Sequence, residues 1–317
     1  MVARMIRRIA GRKMLLVSGL QIVCLAGLIA YLVHAFGVAP FAAGIQAVNI
    51  WTVLAALSCG FVATWAQATR WRIICRGYGI QLSTSQALRQ CYGATLLNSV
   101  LPSGMAGDAY RTVQHRTEHN SSWSSSIGSV AGERLAGTVI VILAAAIALA
   151  TQDWRLSLAT LAVSVAVLAG AWPSIRRIAL PASMAVWSLS LLQWGCFLLM
   201  FWAAASMTSP GIPFAHVTGL GAICLASMFI PLGVGGWGPR EGATALAFMA
   251  YGYSGAEGVA AATGYGILAL ISVLPGVPVL LASTRIATQL RAAARRLRKY
   301  RRPLPTDPLG EPSQRIP

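Results

Sequence analysis

The sequence predicts an all-α membrane protein with about six full transmembrane helices and two re-entrant helical hairpins, arranged as an inverted-topology repeat. Three observations predict it. Of 317 residues, 56% are hydrophobic and 10% charged, a composition outside the range of soluble globular domains. The net charge of +17 is carried by Lys and Arg at the ends of apolar runs. Finally, the frame P-x-G-x-x-G-x-x-x-R occurs twice, as Pro102, Gly104, Gly107, Arg111 and as Pro231, Gly233, Gly236, Arg240. One Gly/Pro-interrupted hydrophobic segment in each half is a pointer to a transport site near the bilayer midplane.

Met14 to Phe36 is long enough to cross a bilayer. It follows Arg4, Arg7, Arg8, Arg12 and Lys13, which place the N-terminus in the cytoplasm. Read as a signal peptide, its apolar region would be too long. The uncharged stretch from Gly37 to Ala47 reads as an outside loop. Val48 to Thr69 returns, with Arg70, Trp71 and Arg72 anchoring it at the interface. Ser83 to Leu101 is then helical in pattern until Pro102 stops it.

If that segment crossed the bilayer, every later basic loop would change sides. Turning back at mid-membrane keeps Arg116, Arg176 and Arg177 on one face with the basic tail. The remaining spans are Ile127 to Ala150, Leu156 to Trp172, Ala182 to Ala205 and Gly258 to Ser283. The second hairpin runs from Phe214 to Ile230 and from Glu241 to Tyr251. Residues 1–152 form the first membrane repeat and 153–284 the second, of opposite orientation. Residues 285–302 form a basic amphipathic cytoplasmic helix or a plain positive-inside anchor. The proline-rich tail 303–317 has little to bury and reads as disordered.

Charges at membrane depth are costly and point to function by default. They are Asp108, Arg111, Glu133, Arg134, Arg240 and Glu241. The return helix of the first hairpin is expected after Gly107 with Asp108 as N-cap, and that of the second after Gly238 with Pro239 in its first turn. Two helix N-termini, each carrying roughly +0.5 charge, and Arg111 with Arg240 would then suit a phosphate. The other reading is structural: Arg111 pairs with Asp108 or Glu133, and Arg240 with Glu241, to hold the hairpins. Asn98 would brace the first hairpin or touch the ligand. Pro102, Gly104, Gly107, Pro231, Gly233, Gly235, Gly236 and Gly238 shape the turns.

Other chemistries find no motif. His34 and His216 sit at loop ends, and His115 and His119 read as part of a polar loop, none spaced as metal ligands. The six cysteines match no zinc or redox pattern and read as packing residues. There is no phosphate-binding G-x-x-x-x-G-K-[ST] loop and no acidic metal cluster. No cofactor, metal site or catalytic residue is expected. The placement of the charges excludes nucleic acid as a partner.

Taken together, Asn98, Pro102 with Gly107-Asp108 and Arg111, Glu133-Arg134, Gly235-Gly236, Gly238 and Arg240-Glu241 resemble the transmembrane region of the lysylphosphatidylglycerol synthase/flippase family. The likeness covers nearly the whole membrane part. One departure is Ala106 before Gly107, where members often show two glycines. In two-domain members this region is thought to flip an aminoacylated phospholipid that a soluble domain makes. That domain has no counterpart in these residues, so the resemblance implies lipid translocation rather than lysyl transfer. The expected function is therefore an inner-membrane flippase for a lipid with an anionic or zwitterionic phosphate headgroup, both termini being cytoplasmic. The alternatives are a membrane-embedded transferase in polyprenyl-phosphate or glycolipid synthesis, and an accessory subunit docking a separate lipid-modifying synthase.

Overall fold

The computed structural model describes residues 2–102, 104–119, 121–230 and 232–282, with side chains from residue 18 onward except that of His119. Pro231, the helix expected at 285–302 and the tail 303–317 lie outside the described residues. Among the described residues the fold is all-α: α1 (Val2–Phe36), α2 (Ala39–Gln46), α3 (Ile50–Gly77), α4 (Thr84–Val100), α5 (Ala106–His119), α6 (Trp123–Leu149), α7 (Trp154–Ile175), α8 (Leu180–Thr208), α9 (Phe214–Ser227), α10 (Pro239–Ala250) and α11 (Gly255–Val273). Residues Met1–Gly276 pack as one unit, in which the two halves of the sequence are interleaved; Val277–Pro317 form a second, described as helix over 277–282.

Six segments are long and apolar enough to cross a bilayer: Ser18–Phe36, Ile50–Gly77, Trp123–Leu149, Trp154–Ile175, Leu180–Thr208 and Gly255–Ala282. Their outward faces expose large apolar side chains, such as Leu158 and Val165 on α7 and Leu199 on α8. So much contiguous apolar surface suits hydrocarbon rather than water. Polar side chains punctuate the helices. Asn49 accepts from Trp51 and Thr52 at 2.9 and 3.1 Å to start α3, Ser83 exchanges bonds with Gln86 to start α4, and Asp153 caps α7.

Besides the eight-residue α2, four of the described helices are shorter. α4, α5, α9 and α10 have 17, 14, 14 and 12 residues, below the ~20 needed to span a hydrocarbon core. α4 packs back on α5, and α9 on α10, giving two helical hairpins around the two Gly/Pro frames. Their tips touch: Pro102 and Val234 form an antiparallel bridge, and a Cβ at Gly235 would collide with the Ser99 carbonyl.

At the centre α3 packs on α8, and around them the partners come in matched pairs. The contact of α3 with α4 has its counterpart in α8 with α9, and α5 with α6 in α10 with α11. Likewise α6 meets α9 as α11 meets α4, and α6 meets α8 as α11 meets α3. Outside this core α7 lies along α6, while α1 contacts α10.

Three local expectations are corrected. The loop from Gly37 to Ala47 contains α2, with Pro40 in its first turn and Gly44 pressed against the Ala260 carbonyl of α11. Arg70 and Trp71 do not face outward as anchors: α3 continues to Gly77 and both are buried inside the protein, Arg70 to 2% exposure. His115 belongs to α5 rather than to a loop, and is buried with its ring 5.3 Å from that of Trp71. The six cysteines are free thiols, and Cys75, Cys91, Cys196 and Cys224 are packed in the interior.

Candidate functional site

The first hairpin turns through Leu101 and Pro102 to Gly104, whose φ of +58° is a left-handed conformation that favours glycine. α5 then starts at Ala106, two residues earlier than its expected cap. The Gly107 N–H donates to Asn98 Oδ1 at 2.7 Å, and a Cβ on Gly107 would overlap the Ala94 carbonyl. The cap of α5 is thus supplied by α4 across the hairpin. Asp108 lies inside the first turn, its own N–H bonded to the Met105 carbonyl at 3.1 Å. This leaves its carboxylate free for side chains rather than backbone.

Both oxygens are taken by arginines. Oδ1 accepts from Arg111 Nη2 at 3.0 Å, and Oδ2 pairs with Arg134 Nη1. Arg134 also donates to the Gly104 carbonyl at 3.0 Å, tying α6 to the hairpin turn. One residue earlier on α6, Glu133 is fully buried and holds two arginines. Its Oε2 accepts from Arg111 Nη2 at 2.8 Å, and its Oε1 accepts from Arg70 Nε at 3.2 Å and from Arg70 Nη2.

Further contacts fix the geometry. Arg70 Nη1 donates to Ser190 Oγ of α8 at 2.9 Å, and Gly137 leaves room on α6 for its guanidinium. Arg111 lies over the Trp71 ring, 4.9 Å from its centroid, where the cation meets the negative face of the indole. Five helices therefore meet in one network, α3, α4, α5, α6 and α8. Its charges are Arg70, Arg111 and Arg134 against Asp108 and Glu133, leaving one positive charge in excess.

The second hairpin is built differently. Gly238, at φ +92°, precedes α10, which begins at Pro239 as anticipated. Glu241 closes on its own turn: Oε2 accepts from the Gly238 N–H at 2.7 Å, and Oε1 accepts from Arg240 Nε and Nη2 at 3.0 and 2.6 Å. Arg240 lies between the rings of Trp237 and Tyr265, at 4.3 and 5.8 Å. A Cβ at Gly266 would overlap its guanidinium. Gly266 stands at the same offset after Arg240 as Gly137 after Arg111, but Gly137 admits Arg70 of α3, whereas Gly266 admits Arg240 itself. Arg240 and Glu241 are 1% and 0% exposed.

Between the hairpin tips lies a cavity of about 280 Å³. Asn98, Asp108, Arg111, Glu133 and Arg134 line it together with Arg70, Gly104, Gly235 and Gly236. Arg240 and Glu241 are not among its lining residues. The structure therefore brings five of the seven expected ligand residues to one cavity and keeps the other two as a closed pair. Arg70 was missed. Its one sequence signal is that it continues a helical stripe of small residues on α3, Ala63 and Ala66, which the structure shows to be buried.

The family model for the lysylphosphatidylglycerol synthase TM region matches residues 15–179 and 171–276. No curated protein matches the chain.

Proposed function

The chain belongs to the lysylphosphatidylglycerol synthase TM region family, and from that premise we propose that this multi-pass membrane protein is a lipid translocase. It would carry a phosphate-bearing headgroup between leaflets. The observation that carries this reading is the cavity at the hairpin tips, lined by Arg70, Arg111 and Arg134 with only two carboxylates among them. A phosphate entering there meets an uncompensated positive charge on groups whose planar N–H forks match its oxygens.

Arg134 is the natural first contact, because its side chain is 35% exposed while Arg111 is 1% exposed. A phosphate oxygen would bind N–H groups of Arg134 that Asp108 leaves free, Asp108 keeping one oxygen on each of Arg111 and Arg134. No bond is made or broken. Asp108, Glu133 and the three arginines would change partners only as the hairpins rock, and neither an enzyme activity nor a cofactor is invoked.

The paired contacts around α3 and α8 support an inverted repeat in which the hairpins enter the membrane from opposite faces without crossing it. In such a repeat the present asymmetry is one of two states: the first hairpin's network opens on the cavity while the second hairpin's pair is shut. Exchanging the roles of the hairpins would open Arg240 to the phosphate and carry it toward the other leaflet. Both termini then lie in the cytoplasm, and the membrane is the inner one.

The test is leaflet exchange of a fluorescent phospholipid by the purified full chain in vesicles, with mass spectrometry of the lipid afterwards. Exchange of unaltered lipid, lost in Arg111→Lys and Arg134→Gln, is the expected result. Chemical conversion of the lipid would replace this reading with a transferase. The absence of both activities would favour an accessory subunit. Single cysteines at Arg116 and Arg176 should label from one side and at Ala42 and Asp153 from the other; all four positions are exposed.

A further inference from the structure

The same cavity also indicates which headgroup it suits. Each oxygen of its two carboxylates is paired with an arginine: Asp108 gives one oxygen each to Arg111 and Arg134, and Glu133 one each to Arg111 and Arg70. No carboxylate is left unpaired to balance a cationic group, and the cluster already carries an excess positive charge.

The rest of the wall is neutral. Gln67 and Gln193 present amides, and Thr95 and Ser99 hydroxyls. The Gln67 carbonyl accepts from Thr95 at 3.3 Å, which leaves its NH₂ to donate. The indole of Trp194 also lines the cavity.

We infer that the cavity selects an anionic lipid whose phosphate carries a neutral, hydroxyl-bearing headgroup, of the glycerol- or sugar-phosphate class, and rejects aminoacylated and other cationic headgroups. The inference rests on the lipid-translocase reading. The phosphate sits at Arg134 and Arg111, and the polyol reaches the amides of Gln67 and Gln193 and the hydroxyls of Thr95 and Ser99. Rejection comes from like charge, the repulsive element that specificity generally needs. The family's name describes a lipid with a lysyl group; in this chain no unpaired acid faces the cavity to receive one.

Binding can be measured apart from transport by native mass spectrometry and by lipid-dependent melting of the purified full chain in detergent. The probes are phosphatidylglycerol, phosphatidic acid, phosphatidylcholine, lysyl-phosphatidylglycerol and free glycerol 3-phosphate. Phosphatidylglycerol should bind at least tenfold more tightly than lysyl-phosphatidylglycerol or phosphatidylcholine, and severalfold more tightly than phosphatidic acid. Gln67→Leu with Gln193→Leu should erase the preference over phosphatidic acid while keeping the volume of the wall. Arg134→Gln, which frees one oxygen of Asp108, should move the preference toward the lysyl lipid.

Equal or tighter binding of lysyl-phosphatidylglycerol to the wild-type chain would overturn the inference. Equal stabilisation by free glycerol 3-phosphate would overturn the lipid as its source. If this selectivity holds but no lipid exchanges between leaflets, the translocase reading fails and the headgroup assignment stands.

Discussion

The two hairpins start from one sequence frame and reach opposite electrostatic solutions. In the first, Arg111 shares its carboxylates with Arg70 from α3 and Arg134 from α6, and the network faces a cavity. In the second, Arg240 pairs with the next residue, Glu241, between two aromatic rings and away from the cavity. The frame dictates the turn, because proline and glycine act on their own backbone. It does not dictate the arginine's partners, which come from other helices. The second hairpin is electrostatically self-contained, whereas the first depends on tertiary packing for its neutralisation.

The largest expected effect separates them directly. Glu133→Gln leaves Arg70 and Arg111 buried without their shared counter-charge, and should lower stability by about 3–5 kcal/mol, read by melting of the purified protein. A loss near zero would mean that water, not Glu133, compensates these arginines.

Pairwise neutralisation sharpens the contrast. Arg240→Met with Glu241→Gln removes the whole second pair and keeps an acceptor for the Gly238 N–H. It should come within about 1–2 kcal/mol of wild type, since a buried pair replaced by apolar volume is often neutral. Arg111→Met with Glu133→Gln leaves Arg70 uncompensated and should stay several kcal/mol below wild type, roughly as for a broken buried pair. If both double variants recover alike, the first network is no more cooperative than the second. If the second-hairpin double variant also retains full lipid exchange, Arg240 takes no part in carrying phosphate.

Smaller effects test the turns. Gly107→Ala forces α5 away from the Ala94 carbonyl and should cost about 1–3 kcal/mol as overpacking. Asn98→Ala removes the cap from Gly107 and should cost about 1 kcal/mol. The second hairpin caps itself through Glu241, so substitution of the matching α9 residue, Ser227, should leave α10 unaffected. Hydrogen exchange at the first turns of α5 and α10 reads this difference. Slow exchange at Gly107 in Asn98→Ala would show that another group serves as cap.

The apolar spans were legible in the sequence because bilayer thickness imposes a length and a composition on each helix by itself. The hairpins were legible for a similarly local reason: Pro102 lacks the N–H that would continue α4, and Gly104 and Gly238 take up positive-φ turns. Asn98, Asp108, Arg111, Glu133 and Arg134 could be singled out because a charge or amide among apolar residues demands a partner. Which partner each one takes is not a local property. Asp108 was expected to cap its own helix, but Asn98 supplies the cap from α4, and this releases Asp108 to the arginines. Arg70, read as an interface anchor, is buried because Glu133 and Ser190 arrive from α6 and α8. Arg240 shares its frame with Arg111 and yet stays off the cavity, because Glu241 lies beside it and Gly266 makes room. The sequence by itself determined which segments are long and apolar enough to cross, where the hairpins turn and, apart from Arg70, which charges need neutralising. Only the tertiary structure decided which charges neutralise each other, because a buried charge takes the nearest well-placed partner that packing delivers.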